Sequence, residues 1–142
     1  MSRKIKIICI GKVKERYLQE GINEFLKRLK PFCDVEIIEL KDRGVIEDSK
    51  FVQKYVDHTS FILDVNGKSF SSEEFAELIK KTETTLTLII GGAEGFNQDI
   101  KKNAKLLSLS KMTFTHEMTR LFLVEQIYRS FMIINNKTYY HK

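Results

Sequence analysis

Residues 86–96 read LTLIIGGAEGF. The apolar run at 86–90 has the length and the β-branched content of a strand buried on both faces. It ends in Gly91, Gly92 and Gly95, with one carboxylate, Glu94, among them. A turn needs one glycine or two; three indicate that something comes close to the backbone. The spacing G-G-x-x-G is not a phosphate P-loop, which ends in Gly-Lys-Ser/Thr, nor a dinucleotide G-x-G-x-x-G. Glu94 would also repel a bound phosphate. Two readings stand: a ligand such as an adenine or ribose held by backbone amides, or a tight strand-to-helix connection with no ligand.

Working outward, strands alternate with helices. IKIICIG (5–11) is rich in β-branched residues and reads as a first strand. Leu18, Ile22, Phe25 and Leu29 then recur on one helical face, and Pro31 stops the helix. VEIIEL (35–40) is a second strand, followed by a polar stretch and a short helix around 48–57. FILDV (61–65) is a third strand, turned by Asn66-Gly67. Ser71-Ser72-Glu73-Glu74 fits a capping box for a helix with Phe75, Leu78 and Ile79 on its apolar face. After the glycine turn, Asn97 caps a short helix over 98–105, and LLSLS (106–110) is a fifth strand. A last helix runs from about 115 to 134, with Thr115 as its N-cap. This alternation predicts an α/β fold with a largely parallel sheet and helices on both faces. Ligands of such sheets bind outside the carboxyl ends of the strands. Three features fall there: Leu63-Asp64, the glycine turn, and the hydroxyl-rich stretch 108–114.

The chain has 142 residues, 42% of them apolar, with one proline. That predicts one domain over residues 1–142. No apolar run approaches a membrane span. The basic-then-apolar start carries lysines within the alternation and no small-residue cleavage site, so it reads as a strand in a cytoplasmic protein. Cys9 and Cys33 lack CxxC spacing and read as reduced, partly buried thiols; no metal is expected. The net charge of +5 is compatible with a polyanionic partner.

The last helix carries Met118, Leu121, Phe122, Ile127, Tyr128, Phe131 and Met132, with Leu123 and Val124 on other sides. A helix so apolar is buried on more than one face, either as a central core helix or against a second subunit in a C2 dimer. The tail NNKTYYHK (135–142) is unusual for a terminus. Its two tyrosines, histidine and lysine suit an RNA base, or form a solvated end.

GGAEGF, LSLSKMTFTHEMTRLFLVEQIYRSF and the closing YHK together resemble the ribosomal large subunit methyltransferase H family, as do IKIICIGKVKERY and ILDVNGKSFSSEEFA. The resemblance covers nearly the whole chain. It implies a SPOUT fold with a C-terminal trefoil knot, a homodimer, and S-adenosylmethionine-dependent methylation of N3 of a pseudouridine in 23S rRNA on the assembled ribosome. Matched residue by residue, it implies Leu63, Gly91, Leu109, Ser110, Lys111, Met112, Thr113 and Phe114 as cofactor contacts. His141 becomes the candidate to position or deprotonate the target nitrogen, as a group of near-neutral pKa, and Tyr140 the residue to stack on the base. Arg120, Arg129 and Lys142 are RNA-binding candidates. The two arginines alternatively tie a dimer together or pair with Glu125. Lys12, Lys14 and Arg16, and Lys101, Lys102 and Lys105, are further candidates for phosphate contacts or plain solvated surface. The chain departs from the family pattern at Thr115 and Ala93 and in a shorter region after Leu40. The competing expectation is a non-catalytic RNA- or ribosome-binding module of the same fold.

Overall fold

The computed structural model describes residues 3–139. Five strands, β1 (Arg3–Ile10), β2 (Cys33–Leu40), β3 (Ser60–Ser69), β4 (Leu86–Ile90) and β5 (Leu106–Ser108), form one sheet in the order β2-β1-β4-β3-β5. Every pairing is parallel. The helices are α1 (Arg16–Leu29), α2 (Val45–Val52), α3 (Ser72–Lys81), α4 (Gln98–Lys102) and α5 (His116–Ile134).

Strand periodicity divides the core. Ile5, Ile7 and Cys9 of β1 join Leu86, Leu88 and Ile90 of β4 beneath Ile22 and Leu29 of α1, Phe75 and Ile79 of α3, and Leu123, Val124 and Ile127 of α5. Ile8, Ile10, Ile62 and Ile89 point the other way, to Val52 of α2, Phe96, and Ile100 of α4. Helices therefore cover both faces, as the alternation predicts. All five residues of β4 are buried, because that strand is central and covered on both sides.

The caps form where the sequence places them. Ser71 Oγ accepts the Glu74 N–H at 3.0 Å while Glu74 Oε1 accepts the Ser71 N–H at 2.7 Å. Asn97 Oδ1 accepts from the Ile100 N–H at 3.1 Å, and Thr115 Oγ1 from the Met118 N–H at 3.2 Å. Burial pushes the thiols of Cys9 and Cys33 up to about 12, and both cysteines are free.

Several boundaries differ from the sequence reading. The second helix starts earlier, at Val45, and passes into a 3-10 turn, Gln53–Tyr55. The helix after Asn97 and the fifth strand are both shorter than expected. Most consequential, Asn66-Gly67 does not turn the chain out of the sheet. β3 continues to Ser69, and Leu63 and Lys68 both pair with Leu107, so residues 64–67 form a wide bulge within one strand. Tertiary pairing with β5 overrides the local turn signal.

The last helix takes the central position. Leu123, Val124, Ile127 and Phe131 are buried against the sheet. Leu121 lies over Gly21 of α1, Phe122 meets Phe114 at 4.8 Å between ring centroids, and Tyr128 meets Phe25 at 5.9 Å. Neighbours within the chain thus cover most of its apolar circumference.

Candidate cofactor cleft at the strand ends

The sheet register brings together residues far apart in sequence. Ile62 pairs with Ile89, and Leu63 with Leu107. The chain segments leaving β3, β4 and β5 therefore emerge side by side. They border a cleft of about 970 Å³, closed on the far side by Glu15, Tyr17 and Leu18 at the start of α1. Leu63, Gly91, Leu109, Ser110, Met112, Thr113 and Phe114 all line it. Lys111, the eighth expected contact, is exposed and lies outside that lining.

The three glycines have separate physical reasons. A Cβ on Gly91 would sit 3.1 Å from the Gly95 Cα and 3.2 Å from the Phe96 ring. One on Gly92 would sit 3.2 Å from both Asp42 Oδ2 and Ile10 Cγ2. Gly95 has φ +70°, and its N–H closes the turn by donating to the Gly92 carbonyl at 3.0 Å. What comes close to this backbone is first the loop itself, folded tightly enough that its outer surface becomes a wall of the cleft.

Two hydroxyls of the following segment bond within their own loop. Ser108 is buried and its Oγ donates to the Ser110 carbonyl at 2.8 Å. Ser110 Oγ accepts the Met112 N–H at 3.0 Å. These bonds shape the loop 108–112 and occupy its Ser110 carbonyl and Met112 N–H. Glu117 Oε1 accepts the N–H groups of Lys14 and Glu15 at 2.8 and 3.2 Å. It thereby satisfies donors at the start of α1, where no side chain of that helix forms a cap, and ties the two sides of the cleft together.

Asp64 and Lys101, both lining the cleft, form an ion pair at 2.9 Å with side chains 11% and 21% exposed. Asp64 Oδ1 also accepts the Asn66 N–H at 2.8 Å, pinning the bulge. Burial pushes the Asp64 carboxyl up, but the hydrogen bonds from Lys101 and Asn66 and the lysine charge outweigh it. The group sits below its ordinary value. A depressed folded-state pKa contributes stability that is fully present above the unfolded pKa of about 4 and is lost as pH falls through the folded one. Asp64→Asn is expected to lose about 1–2 kcal/mol at pH 7, with the gap to the unchanged protein closing below about pH 4. Thermal denaturation at both pH values checks this; a gap that does not narrow in acid removes the ion pair as its cause.

Other expected residues fall elsewhere. Arg120 is 6% exposed, and its guanidinium donates to Glu39 Oε2 at 2.6 Å and the Gly11 carbonyl at 3.1 Å. It faces the interior and supports the turn after β1. Arg129 pairs with Glu125 at 2.7 Å, the ion pair that the sequence raised as one alternative. Lys101, a candidate phosphate contact, is held by Asp64. Tyr140, His141 and Lys142 lie outside the described residues. Sequence reasoning missed Tyr17 and Glu117 as borders of the cleft, and His116 with them. His116 lines the cleft, and its two ring nitrogens are buried without a hydrogen-bond partner among the described residues. Its place before Glu117 at a helix start was the available signal.

Comparison with known proteins settles the family. The family model described as "Predicted SPOUT methyltransferase" matches residues 3–141. The protein named ribosomal RNA large subunit methyltransferase H from Streptococcus pyogenes serotype M12 (strain MGAS2096) is 41% identical over 157 aligned residues, covering 96% of this chain and 99% of that one. Its counterpart from serotype M49 (strain NZ131) gives the same figures. The chain belongs to the ribosomal RNA large subunit methyltransferase H family of SPOUT methyltransferases. The fold recurs in a solved structure of remote sequence. TrmJ from Z. mobilis ZM4 superposes with a TM-score of 0.54 over 92% of this chain and 70% of that one, at 8% identity. The alignment with the streptococcal relatives is longer than this SPOUT methyltransferase's 142 residues, so those relatives carry additional residues. The brief α2 and its 3-10 turn are all the helical structure between β2 and β3.

Proposed function

We propose that this methyltransferase uses S-adenosylmethionine to methylate N3 of a pseudouridine in 23S rRNA, acting as a cytoplasmic homodimer on the assembled ribosome and built as one knotted domain over residues 1–142. The observation that carries the cofactor reading is the convergence of seven of the eight expected contacts on one cleft. The cleft fits that group chemically. Leu63, Ile90, Leu109 and Phe114 offer apolar walls for an aromatic base, and the loops at 91–95 and 109–114 offer backbone donors and acceptors. Glu94 adds a carboxylate, which favours a ligand carrying positive charge. Its volume lies within the range of small-molecule sites, roughly 300–1,000 Å³. The nucleotide and the ribosomal setting rest on the sequence resemblance and on the streptococcal relatives' names.

When bound, S-adenosylmethionine supplies a methyl group already activated on its sulfonium. The chain's own task is then alignment of donor and acceptor. The loops at 91–95 and 108–112 would hold the donor side. The acceptor is an imide nitrogen that must lose a proton, and His141 is the group to take or steer it. Lys142 is the cation we assign to a phosphate contact, on the sequence resemblance alone.

The test is transfer of labelled methyl from S-adenosylmethionine to assembled ribosomes lacking the modification, with free 23S rRNA as control and mass spectrometry to place the label. Label on a pseudouridine only with assembled ribosomes is the expected result. Cofactor binding without transfer to either RNA favours the non-catalytic binding module. His141→Ala is expected to leave cofactor affinity unchanged and to lower turnover about 100-fold or more; unchanged turnover removes His141 from the chemistry.

A further inference from the structure

The segment from Gly11 to the first turn of α1 presents two different sides. On the inner side it is fixed repeatedly. The Gly11 N–H donates to the Leu40 carbonyl at 2.7 Å, and the Gly11 carbonyl accepts from Arg120 at 3.1 Å. Val13 packs against the core, and Leu18 is buried. Glu117 holds the N–H groups of Lys14 and Glu15. On the outer side stand Lys12, Lys14, Arg16 and Tyr17, all exposed. The backbone is anchored while these four side chains face solvent.

Tyr17 is 66% exposed, and yet it lines the cofactor cleft. Its ring therefore stands at the mouth rather than inside. A single exposed apolar residue is ordinary; the setting distinguishes this one. Val65 and Met112, 42% and 74% exposed, line the same cleft from other segments, so the mouth has an apolar rim. Charge is sorted across that rim. Glu15 and Glu94 line the cleft, whereas Lys12, Lys14 and Arg16 lie outside its lining. Arg16 pairs with Glu20 at 3.0 Å, four positions on and also exposed. Such a pair contributes little, and a phosphate can take the carboxylate's place. An aromatic face flanked by cations on a fixed backbone suits single-stranded RNA, whose bases stack on rings while its phosphates meet the cations. A duplex keeps its bases stacked on one another and offers no such face.

We propose that Tyr17 stacks on an unpaired nucleotide of the substrate RNA at the mouth of the cleft, beside the base that enters it, with Lys12, Lys14 and Arg16 on the adjoining phosphates. The inference rests on the RNA substrate given under the proposed function. The sorting of charge fits both ligands at once: carboxylates inside meet a positively charged donor, and cations outside meet a polyanion.

The chain contains no tryptophan, so Tyr17→Trp places a single indole fluorophore at the proposed contact and keeps a stacking face. Its emission is followed during titration with a short single-stranded RNA oligonucleotide, and with the same strand annealed to its complement. Quenching by the single strand, at lower concentration than by the duplex, is the expected result. Tyr17→Ala is expected to weaken single-stranded RNA binding about tenfold. It should raise KM for assembled ribosomes similarly while kcat stays within about twofold, the mark of lost uniform binding. Calorimetric S-adenosylmethionine affinity, sedimentation coefficient and Tm should match the unchanged protein. Tyr17→Phe, which keeps the ring, should bind RNA within about twofold of it. Lys12→Ala combined with Lys14→Ala should reduce the slope of log affinity against log salt by about 1.4. Emission that RNA leaves unchanged, or full RNA affinity in Tyr17→Ala, would overturn the stacking, and an unaltered salt slope would overturn the phosphate contacts. Cofactor affinity falling in Tyr17→Ala would put the ring in the cofactor pocket, and a lower sedimentation coefficient would put it between copies of the chain; either overturns the proposal. Quenching and the tenfold loss, beside an unchanged protein that transfers no methyl to ribosomes, would uphold the stacking and overturn the enzymatic reading alone.

Discussion

Gly67→Ala is expected to destabilise the protein by about 3 kcal/mol or more, a fall in Tm on the order of 10 °C. A Cβ at this position would sit 2.5 Å from the Leu106 carbonyl carbon, 2.6 Å from the Leu107 nitrogen and 2.8 Å from the Leu106 oxygen. All three are backbone atoms of β5, so no side chain can rotate to relieve the overlap. The β3–β5 edge must part instead. β5 is three residues long and delivers the chain into the cleft segment at 109–114, so the displacement reaches the cleft as well. Cofactor affinity should fall together with stability. Thermal denaturation with and without S-adenosylmethionine checks both, and a Tm within about 2 °C of the unchanged protein would mean that the bulge yields without strain.

Gly91→Val should weaken S-adenosylmethionine binding about 100-fold or more while leaving the chain folded. The new Cβ meets the backbone of Gly95 and the ring of Phe96, and the valine methyls extend the overlap. Relief requires the loop 91–95 to swing outward, and that loop is a wall of the cleft. Ala93→Ser, at an exposed position of the same loop, is the control and should bind normally. Calorimetric affinity within about twofold of the unchanged protein would show that the loop's shape is not what holds the cofactor.

Both variants alter glycines, yet the sequence speaks differently about them. The three glycines after β4 announce a close backbone approach, and the structure supplies it. Gly67 sits in an Asn-Gly pair that signals a hairpin-type turn. What holds it in the strand is β5, some forty residues later in the chain, and no local pattern encodes that pairing. The arginines teach a similar lesson. At a helix surface either would suit phosphate, but Arg120 faces Glu39 across 81 positions of sequence. Arg129 finds Glu125 one helical turn away, a spacing readable beforehand.

The sequence alone determined the alternation of strands and helices, the parallel two-faced sheet, the caps at Ser71, Asn97 and Thr115, and the place of the glycine turn at a strand's carboxyl end. These follow from periodicity and side-chain chemistry over a few neighbouring residues. Tertiary structure decided the bulge at 64–67, the Asp64–Lys101 pair, the inward turn of Arg120 and the joining of α1 to α5 through Glu117. Each of these joins partners well separated along the chain. Their meeting depends on strand order and register, which arise only when the whole sheet has formed.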